Sequence, residues 1–335
     1  MSGSTYGDIN QRTAAWAATE MLDQARPVIV LSDYGQSKPM PANKAEQVKF
    51  RRPVPYVVST TQLTEGVTPT SHKTSYVDVP ATLGQYGDLA EITDKVEDLS
   101  EDPVLRDMSV LAGEQAAETI EMVTWGVIKG GTNVVYGNSA DTARSDVNDP
   151  LSLNTQRTAT RFLHSQRGKV ITTKMSSSVQ YGTEAIAPAY LAFGHTDLDA
   201  DVRDMPGFVP CEKYGSMKAL PYEVGKVETV RYILTPLLDP FLGAGGAVNG
   251  MVSQAGSAAD VYPIVIIAKE SYGLIPLRGA GAISPIVLNP GVPSKSDQLG
   301  QRGYVGWKTW FTCVVLNQAW MVRLEVGATD LNGVS

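Results

Sequence analysis

The hydrophobic residues of this chain follow a helical period in its first part. Over residues 8–26, alanines recur at spacings of three and four together with Met21 and Leu22, and Pro27 ends the pattern. The pattern predicts a helix with a narrow apolar stripe, suited to lie along a surface or a neighbour.

A longer helix is predicted over residues 102–130. Asp102 is a good N-cap, Pro103 suits the first helical position, and Gly130 with Gly131 stops the helix. At 1.5 Å per residue it would be roughly 40 Å long, which suits a structural strut. Its expected buried stripe is Leu105, Met108, Ala112, Ala116, Thr119, Val123 and Val127.

Three glutamates of this helix fall off the apolar stripe. Glu114, Glu118 and Glu121 are spaced by three and four residues, where like charges repel slightly. We therefore expect all three on a polar face that meets solvent or the cations of a neighbour.

Alternating apolar residues predict a long hairpin over residues 46–92. Its arms are "QVKFRRPVPYVV" and "SYVDVPATL", and each places its apolar residues on one face. Between the arms lies the Thr-rich "STTQLTEGVTPTSHKT". A hairpin with such a polar tip cannot build a core of its own. It must therefore be mobile or lie on something else, and we expect it to contact a neighbouring subunit rather than its own core.

The remainder of the chain alternates between helix and strand. A helix is predicted from Asp149–Pro150 to Arg167–Gly168, and a turn at Asn317–Gln318 separates the last two strands. The insertion "GAGGAVNGMVSQAGSAAD" is expected to be a flexible loop. The predicted strands are "KVITTK", "AYLAF", "YILTPL", "VYPIVIIA", "VGWKTWFTCVVL" and "AWMVRLEV".

Composition narrows the class of protein. A chain of 335 residues suggests about two domains, and 43% apolar with 19% charged residues is typical of a folded protein. The net charge of −7 argues against a dedicated nucleic-acid binder. Apolar runs such as "YPIVIIA" are far shorter than the ~20 residues of a membrane span. Cys211 and Cys313 lie in no ligand pattern, and we expect two free thiols.

One stretch, "AFGHTDLDADVRDMPGF", brings a histidine close to four carboxylates. Thr196 with Asp199 fits a capping box, and the acids do not share one face of a helix. Since metal sites need converging ligands, we favour a capped, solvated helix and assign no catalytic, cofactor-binding or metal residue. The alternative is a metal-dependent hydrolase. Its candidate residues are His195, Asp197, Asp199, Asp201 and Asp204.

A basic patch offers a second kind of candidate. In "KFRR", Lys49, Arg51 and Arg52 stand together before Pro53. Because the chain is acidic overall, an inter-subunit charge contact is as good an interpretation as a phosphate contact. A monomeric binding module that uses this patch is therefore a further alternative.

Several stretches, taken as a set, resemble the major capsid proteins of tailed phages related to phage N4. They spread from about residue 7 to residue 326. They are "GDINQRTAAWAATEML", "VKFRR", "LTEGVTP", "YGDLAEITDKVED", "EDPVLRDMSVLAGEQAAETIE", "FGHTDLDADVRDMPGF", "SYGLIPLRG" and "LGQRGYVGWKTWFTCVVLNQAWMVRLEV".

The resemblance implies an α+β fold of the HK97 type. Residues 1–45 would be the N-arm and residues 46–92 an extended E-loop. Residues 93–137 with 301–328 would form the P-domain, in which helix 102–130 is the spine, and residues 138–300 the A-domain.

The resemblance also implies a structural protein rather than an enzyme. It would assemble into hexamers and pentamers of an icosahedral shell around double-stranded DNA, without sequence-specific binding, cofactor or membrane. A portal and a separate scaffolding protein are expected partners, with a decoration protein as a further candidate. The chain would be found in the virion capsid, and in the host cytoplasm during assembly.

Overall fold

A computed structural model describes most of the chain from residue 29 onward. The predicted helix over residues 8–26 and the predicted cap at Asp102 lie outside the described residues. The described ranges are 29–41, 46–63, 65–68, 71–99, 104–175, 183–215, 219–278, 283–288, 290–291 and 297–331.

Two of the helices confirm predictions from the apolar period, with corrected ends. The predicted helix 102–130 is observed over its described residues from Val104 to Ile128. The helix expected from Asp149 instead begins after Ser152, whose hydroxyl accepts a hydrogen bond from the backbone N–H of Thr155 at 3.2 Å. The helices are α1 (Asp94–Leu99), α2 (Val104–Ile128), α3 (Leu153–Ser165) and α4 (Asp199–Asp204).

The strands form two large sheets and a separate hairpin. β1 is Gln36–Ser37, β2 Met40–Pro41, β3 Gln47–Pro53, β4 Tyr76–Thr82, β5 Gly84–Thr93, β6 Val134–Tyr136, β7 Ile171–Met175 and β8 Thr183–Gly194. β9 is Phe208–Pro210, β10 Glu223–Val227, β11 Val230–Leu234, β12 Tyr262–Ile267, β13 Tyr272–Arg278, β14 Ile283–Leu288, β15 Arg302–Val315 and β16 Met321–Val326.

An eight-stranded sheet lies between two helices. Its order is β6-β16-β12-β8-β11-β10-β9, with β7 paired to β8. Every residue of β11 and of β12 is buried. Tyr232 and Tyr262 pack on the face that carries α3, while Ile233 and Ile267 pack on the face that carries the second half of α2. Alternate residues of each strand therefore serve two different cores.

A six-stranded sheet is built on the long strand β15. β5 pairs along one edge of β15, from Thr93 opposite Arg302 to Gly84 opposite Phe311. β13 and β14 follow one another along the other edge, and β1 and β2 pair with β13.

The two sheets cut across the ranges expected from the sequence. β13 and β14 fall within residues 138–300 but complete the six-stranded sheet. β16 falls within residues 301–328 but joins the eight-stranded sheet. The turn after Asn317, whose side chain accepts from the backbone N–H of Ala319, carries the chain from one sheet to the other.

The two halves of α2 bury different faces. In the first half, Ala112 and Ala116 pack against Val305 and Trp307 of β15. In the second half, Ile120, Trp125 and Ile128 enter the core beneath the eight-stranded sheet, and Glu121 is wholly buried beside them. The expectation that Glu121 lies on the polar face is therefore wrong. The first half of α2 packs against the six-stranded sheet and the second half against the eight-stranded sheet, so the helix is covered on more than one side.

The glycine-rich insertion, expected to be flexible, is held by hydrogen bonds. The buried carboxylate of Asp260 accepts from the backbone N–H groups of Gly243 at 2.6 Å and Gln254 at 2.9 Å. The chain packs so closely at Gly245 that a Cβ there would lie 2.6 Å from the carbonyl oxygen of Val147. Small residues are needed here for close approach of backbones.

Candidate functional site

His195, the first candidate for chemistry, has a structural role. Its ring Nδ1 accepts a hydrogen bond from the backbone N–H of Asp197 at 3.2 Å and caps a short 3-10 turn, Thr196–Leu198. The predicted capping box between Thr196 and Asp199 is therefore wrong: the helix start lies one residue earlier, and a histidine ring takes the capping position.

The neighbouring carboxylates point to separate partners. Asp197 accepts from the hydroxyl of Tyr262 at 2.7 Å, and burial together with this carboxylate raises the pKa of Tyr262. Asp199 pairs with Arg203 at 2.9 Å.

The remaining acids also diverge. Asp201 accepts from the backbone N–H and the hydroxyl of Thr329 at 3.0 and 2.6 Å, and Asp204 is exposed. Within the described residues, no three His, Cys, Asp or Glu side chains come together as metal ligands.

The two thiols are free, as expected, and neither is activated. Burial raises the pKa of Cys313 to about 12, so its thiolate is scarce near neutral pH. Burial and the nearby Glu223 carboxylate raise the pKa of Cys211. At Cys211 the nearby Arg231 lowers the pKa, but burial and Glu223 outweigh it.

Two buried ion pairs serve the fold rather than a reaction. Arg231 donates to both carboxylate oxygens of Glu223 at 2.6 Å, and Tyr214 donates to the same carboxylate at 2.6 Å. Arg144 donates to both oxygens of Glu325 at 2.8 Å. The first pair joins β10 to β11, and the second ties the turn at Arg144 to β16.

The hairpin β3–β4 is packed against its own chain at its base. Phe50, Ala81 and Leu83 are buried with Met40 and Ile275 of the six-stranded sheet. The expectation that the hairpin contacts a neighbour instead of its own core is wrong for this base, because the inward face of the paired arms finds apolar residues of β13 to cover it.

The outer half of the hairpin (residues 54–77) shows the opposite behaviour. Its large apolar side chains remain open to solvent, and Val57 is 83% exposed. The exposed set is Val54, Tyr56, Val57, Val58, Leu63, Val67, Tyr76 and Val77. An exposed apolar patch of this size marks a surface that another molecule covers.

The cations of "KFRR" do not converge on a ligand. Arg51 donates to both oxygens of Asp78 at 2.8 and 3.0 Å, on the outward face of the hairpin. Arg52 points inward and stacks 5.7 Å from the ring centre of Trp320. Lys49 is exposed. The patch is divided between the two faces of one strand.

A second exposed apolar surface lies where the six-stranded sheet meets α2. We call it the helix groove; it runs between β5 and the first half of α2 and has a volume of about 360 Å³. Leu89 and Leu111 on its rim are 55% and 62% exposed. The apolar side chains that line it are Leu89, Met108, Leu111, Ala112, Val305 and Trp307.

No helix within the described residues combines the length and the apolar character that crossing a bilayer requires.

The arrangement defines a structural subunit whose ion pairs serve its fold and whose hairpin and groove are open to other molecules. A model of the family "Phage capsid protein" matches residues 76–308, more than half of the chain. The chain belongs to the phage capsid protein family.

Solved structures with the same fold are capsids of phages and of a GTA particle. The capsid of Ralstonia phage GP4 is 10% identical, with a TM-score of 0.69, covering 90% of this chain and 88% of that one. The cyanophage Pam1 capsid is 12% identical, with a TM-score of 0.60 and coverage of 91% and 92%. The capsid of a native GTA particle is 10% identical, with a TM-score of 0.53 and coverage of 92% and 91%. A search of curated protein sequences found no match.

Family and fold together confirm the main expectations. The fold is α+β of the HK97 type. The protein is a major capsid protein, a structural protein rather than an enzyme, which associates with copies of itself in the shell of the virion.

Proposed function

We propose that this chain is the major capsid protein of a tailed phage related to N4, and that its hexamers and pentamers close into an icosahedral shell around double-stranded DNA. The exposed outer half of the hairpin carries the proposal. It presents large apolar side chains that this chain leaves uncovered, as an assembling subunit requires.

The division into parts follows from this assignment. Residues 1–45 act as the N-arm, the hairpin within residues 46–92 as the E-loop, α2 as the spine of the P-domain, and residues 138–300 mainly as the A-domain. The pairing of β5, β13 and β14 with β15 supports counting these strands with the P-domain sheet.

The outer hairpin of one subunit covers the helix groove of the next. Both surfaces are apolar and both are open in the single chain. Two different patches that recognise each other make a head-to-tail contact, which closes into a ring when the rotation allows it. Repeated around a shell, contacts that are modest alone add up to a stable assembly.

The remaining partners complete the proposal. A separate scaffolding protein, a portal and a decoration protein act with the shell during assembly in the host cytoplasm. The net charge of −7 supports a shell that encloses DNA without sequence-specific binding, since like charge keeps the packaged genome from adhering.

Size-exclusion chromatography and negative-stain imaging of the purified chain test the function. We expect capsomers or shells, and a stable monomer of 35.9 kDa would contradict it. Deleting residues 60–74 should leave a folded protein, checked by circular dichroism, that fails to close shells. Normal shells from the deletion variant would contradict the role of the hairpin while leaving the capsid assignment in place.

A further inference from the structure

Glu121 joins α2 to the first described residues of the chain. We call residues 29–34 the root segment. One carboxylate oxygen of Glu121 accepts hydrogen bonds from the backbone N–H of Val30 at 3.2 Å and of Leu31 at 2.8 Å. These N–H groups open the 3-10 turn Leu31–Asp33, so a side chain 90 residues away in sequence caps that turn.

The root segment is part of the core. Val30 and Leu31 are 2% and 0% exposed and pack with Ile120 and Trp125 of α2. Tyr272 of β13 donates its hydroxyl to the carbonyl oxygen of Leu31. The root segment is therefore a buried anchor at the start of the described residues.

The anchor differs from the buried carboxylates of Glu325 and Glu223 in forming no ion pair among the described residues. Glu325 and Glu223 each bind an arginine. The second carboxylate oxygen of Glu121 is buried and has no hydrogen-bond partner among the described residues. A negative charge placed there has two N–H donors for one oxygen and apolar surroundings for the other, which is a costly arrangement.

The groups around the anchor oppose a negative charge as well. Asp33 and Tyr34 come from the root segment, Tyr272 from β13 and Cys313 from β15. Asp33 is itself an acid, and the other three are neutral near pH 7. A proton on Glu121 relieves both the burial of charge and the repulsion by Asp33.

We propose that Glu121 is a proton-operated latch that holds the root of the N-terminal arm against α2 when protonated and loosens it when the proton leaves. The inference goes beyond the proposed function, because it concerns a contact within one chain and can be measured on any assembly state. It gives the protein a way to change the hold on its arm near neutral pH.

The direction of the pH effect follows from the pKa of Glu121. Burial, against the opposing effect of the two N–H donors, raises the pKa of Glu121 from 4.5 to about 7. Between these values the folded state binds more proton than the open state. The stabilisation from the latch is therefore complete below pH 4.5 and is lost as the pH rises through about 7.

Hydrogen–deuterium exchange of the full-length protein tests the latch. The protection of the Val30 and Leu31 amides, corrected for the intrinsic pH dependence of exchange, should fall at least about tenfold between roughly pH 5.5 and 8.5. The Glu121→Gln variant cannot titrate and should show no such fall. Glu118→Gln, on the exposed face of the same helix, should keep the wild-type fall.

Two further outcomes decide the matter even if Glu121→Gln folds poorly. Protection in the wild type that stays flat across this pH range overturns the latch directly. Asp33→Asn, which removes the neighbouring negative charge, should shift the midpoint of the wild-type fall to lower pH. An unchanged midpoint would contradict the electrostatic account of the latch.

Discussion

Two apolar stretches of this protein differ completely in burial. β12, "YPIVII", is buried at every position, whereas "VPYVV" in the outer hairpin exposes its valines and tyrosine by 40–83%. β12 has β16 and β8 on its two edges. The hairpin arm loses its ladder beyond Val54, and Pro53 and Pro55 cannot donate backbone N–H groups.

The difference shows that apolar content alone does not decide burial. A strand is buried when its own chain supplies both edges and both faces, and the eight-stranded sheet meets that condition. The outer hairpin has neither two paired edges nor two covered faces, so its apolar side chains stay exposed in the single chain. One region is complete in the monomer, and the other, in the proposed assembly, is completed by a neighbouring subunit.

The largest expected effect tests whether the eight-stranded sheet is complete in one chain. Glu223→Ala leaves Arg231, whose side chain is 3% exposed, without its acid. Breaking one side of a buried pair costs about 3–5 kcal/mol. The free energy of unfolding, from urea titration, should fall by that amount. Glu228→Ala, which breaks an exposed pair with Arg157, is the control and should cost much less; equal losses would contradict the burial of the first pair.

The next effect concerns the junction of the two regions. Ala116 is 0% exposed and packs against Val305 and Trp307. Ala116→Leu should lower the free energy of unfolding by about 1–3 kcal/mol through overpacking and impair assembly. Glu118→Ala on the exposed face should be far milder. If thermal unfolding of the two variants gave the reverse order, the packing face of α2 would be misassigned.

A smaller effect is expected at His195 and Asp199, where the sequence offered a candidate metal site. The double variant His195→Ala with Asp199→Ala removes the cap of the short turn and one exposed ion pair, at a cost of about 1 kcal/mol. The free energy of unfolding measures this cost. Elemental analysis should find no stoichiometric zinc in the wild type; zinc that is present and then lost in the double variant would overturn the structural role.

The smallest effect on the monomer falls on the outer hairpin. Val57→Asp with Val58→Asp should change the free energy of unfolding by no more than about 0.5 kcal/mol, as exposed substitutions do. Shell formation, followed by negative-stain imaging, should nevertheless be lost. Thr60→Asp with Thr61→Asp adds the same charge beside the patch and should assemble better. A variant at Val57 and Val58 that unfolds early would show that the hairpin belongs to the monomer core.

Local patterns were sufficient for much of this fold. The 3.6-residue period placed α2 almost correctly, and period-two alternation found the arms of the hairpin. Around His195, helical spacing already separated the acids in the sequence, and the structure gives them separate partners. In each case the deciding residues lie close together in sequence.

Contacts between residues distant in sequence explain the predictions that were wrong. Glu121 was assigned to solvent because nothing near it in sequence reveals that Val30 and Leu31 supply donors from 90 residues away. The base of the hairpin was assigned to a neighbour because its cover, Ile275, lies nearly 200 residues downstream. The two C-terminal strands look alike, yet β15 and β16 join different sheets.

The pairing of β15 also determines when, during synthesis of the chain, the six-stranded sheet can be completed. β5 pairs with β15, and β6 pairs with β16, so each large sheet joins an early strand to one of the last. At about 5–20 residues per second, roughly 10–40 seconds separate the synthesis of β5 from that of β15. A chain released before residue 302 lacks the partner of β5 and the Val305 and Trp307 wall of the helix groove. Under the proposed head-to-tail contact, unfinished translation products cannot receive a neighbour's hairpin, and the topology of the fold keeps them out of the shell.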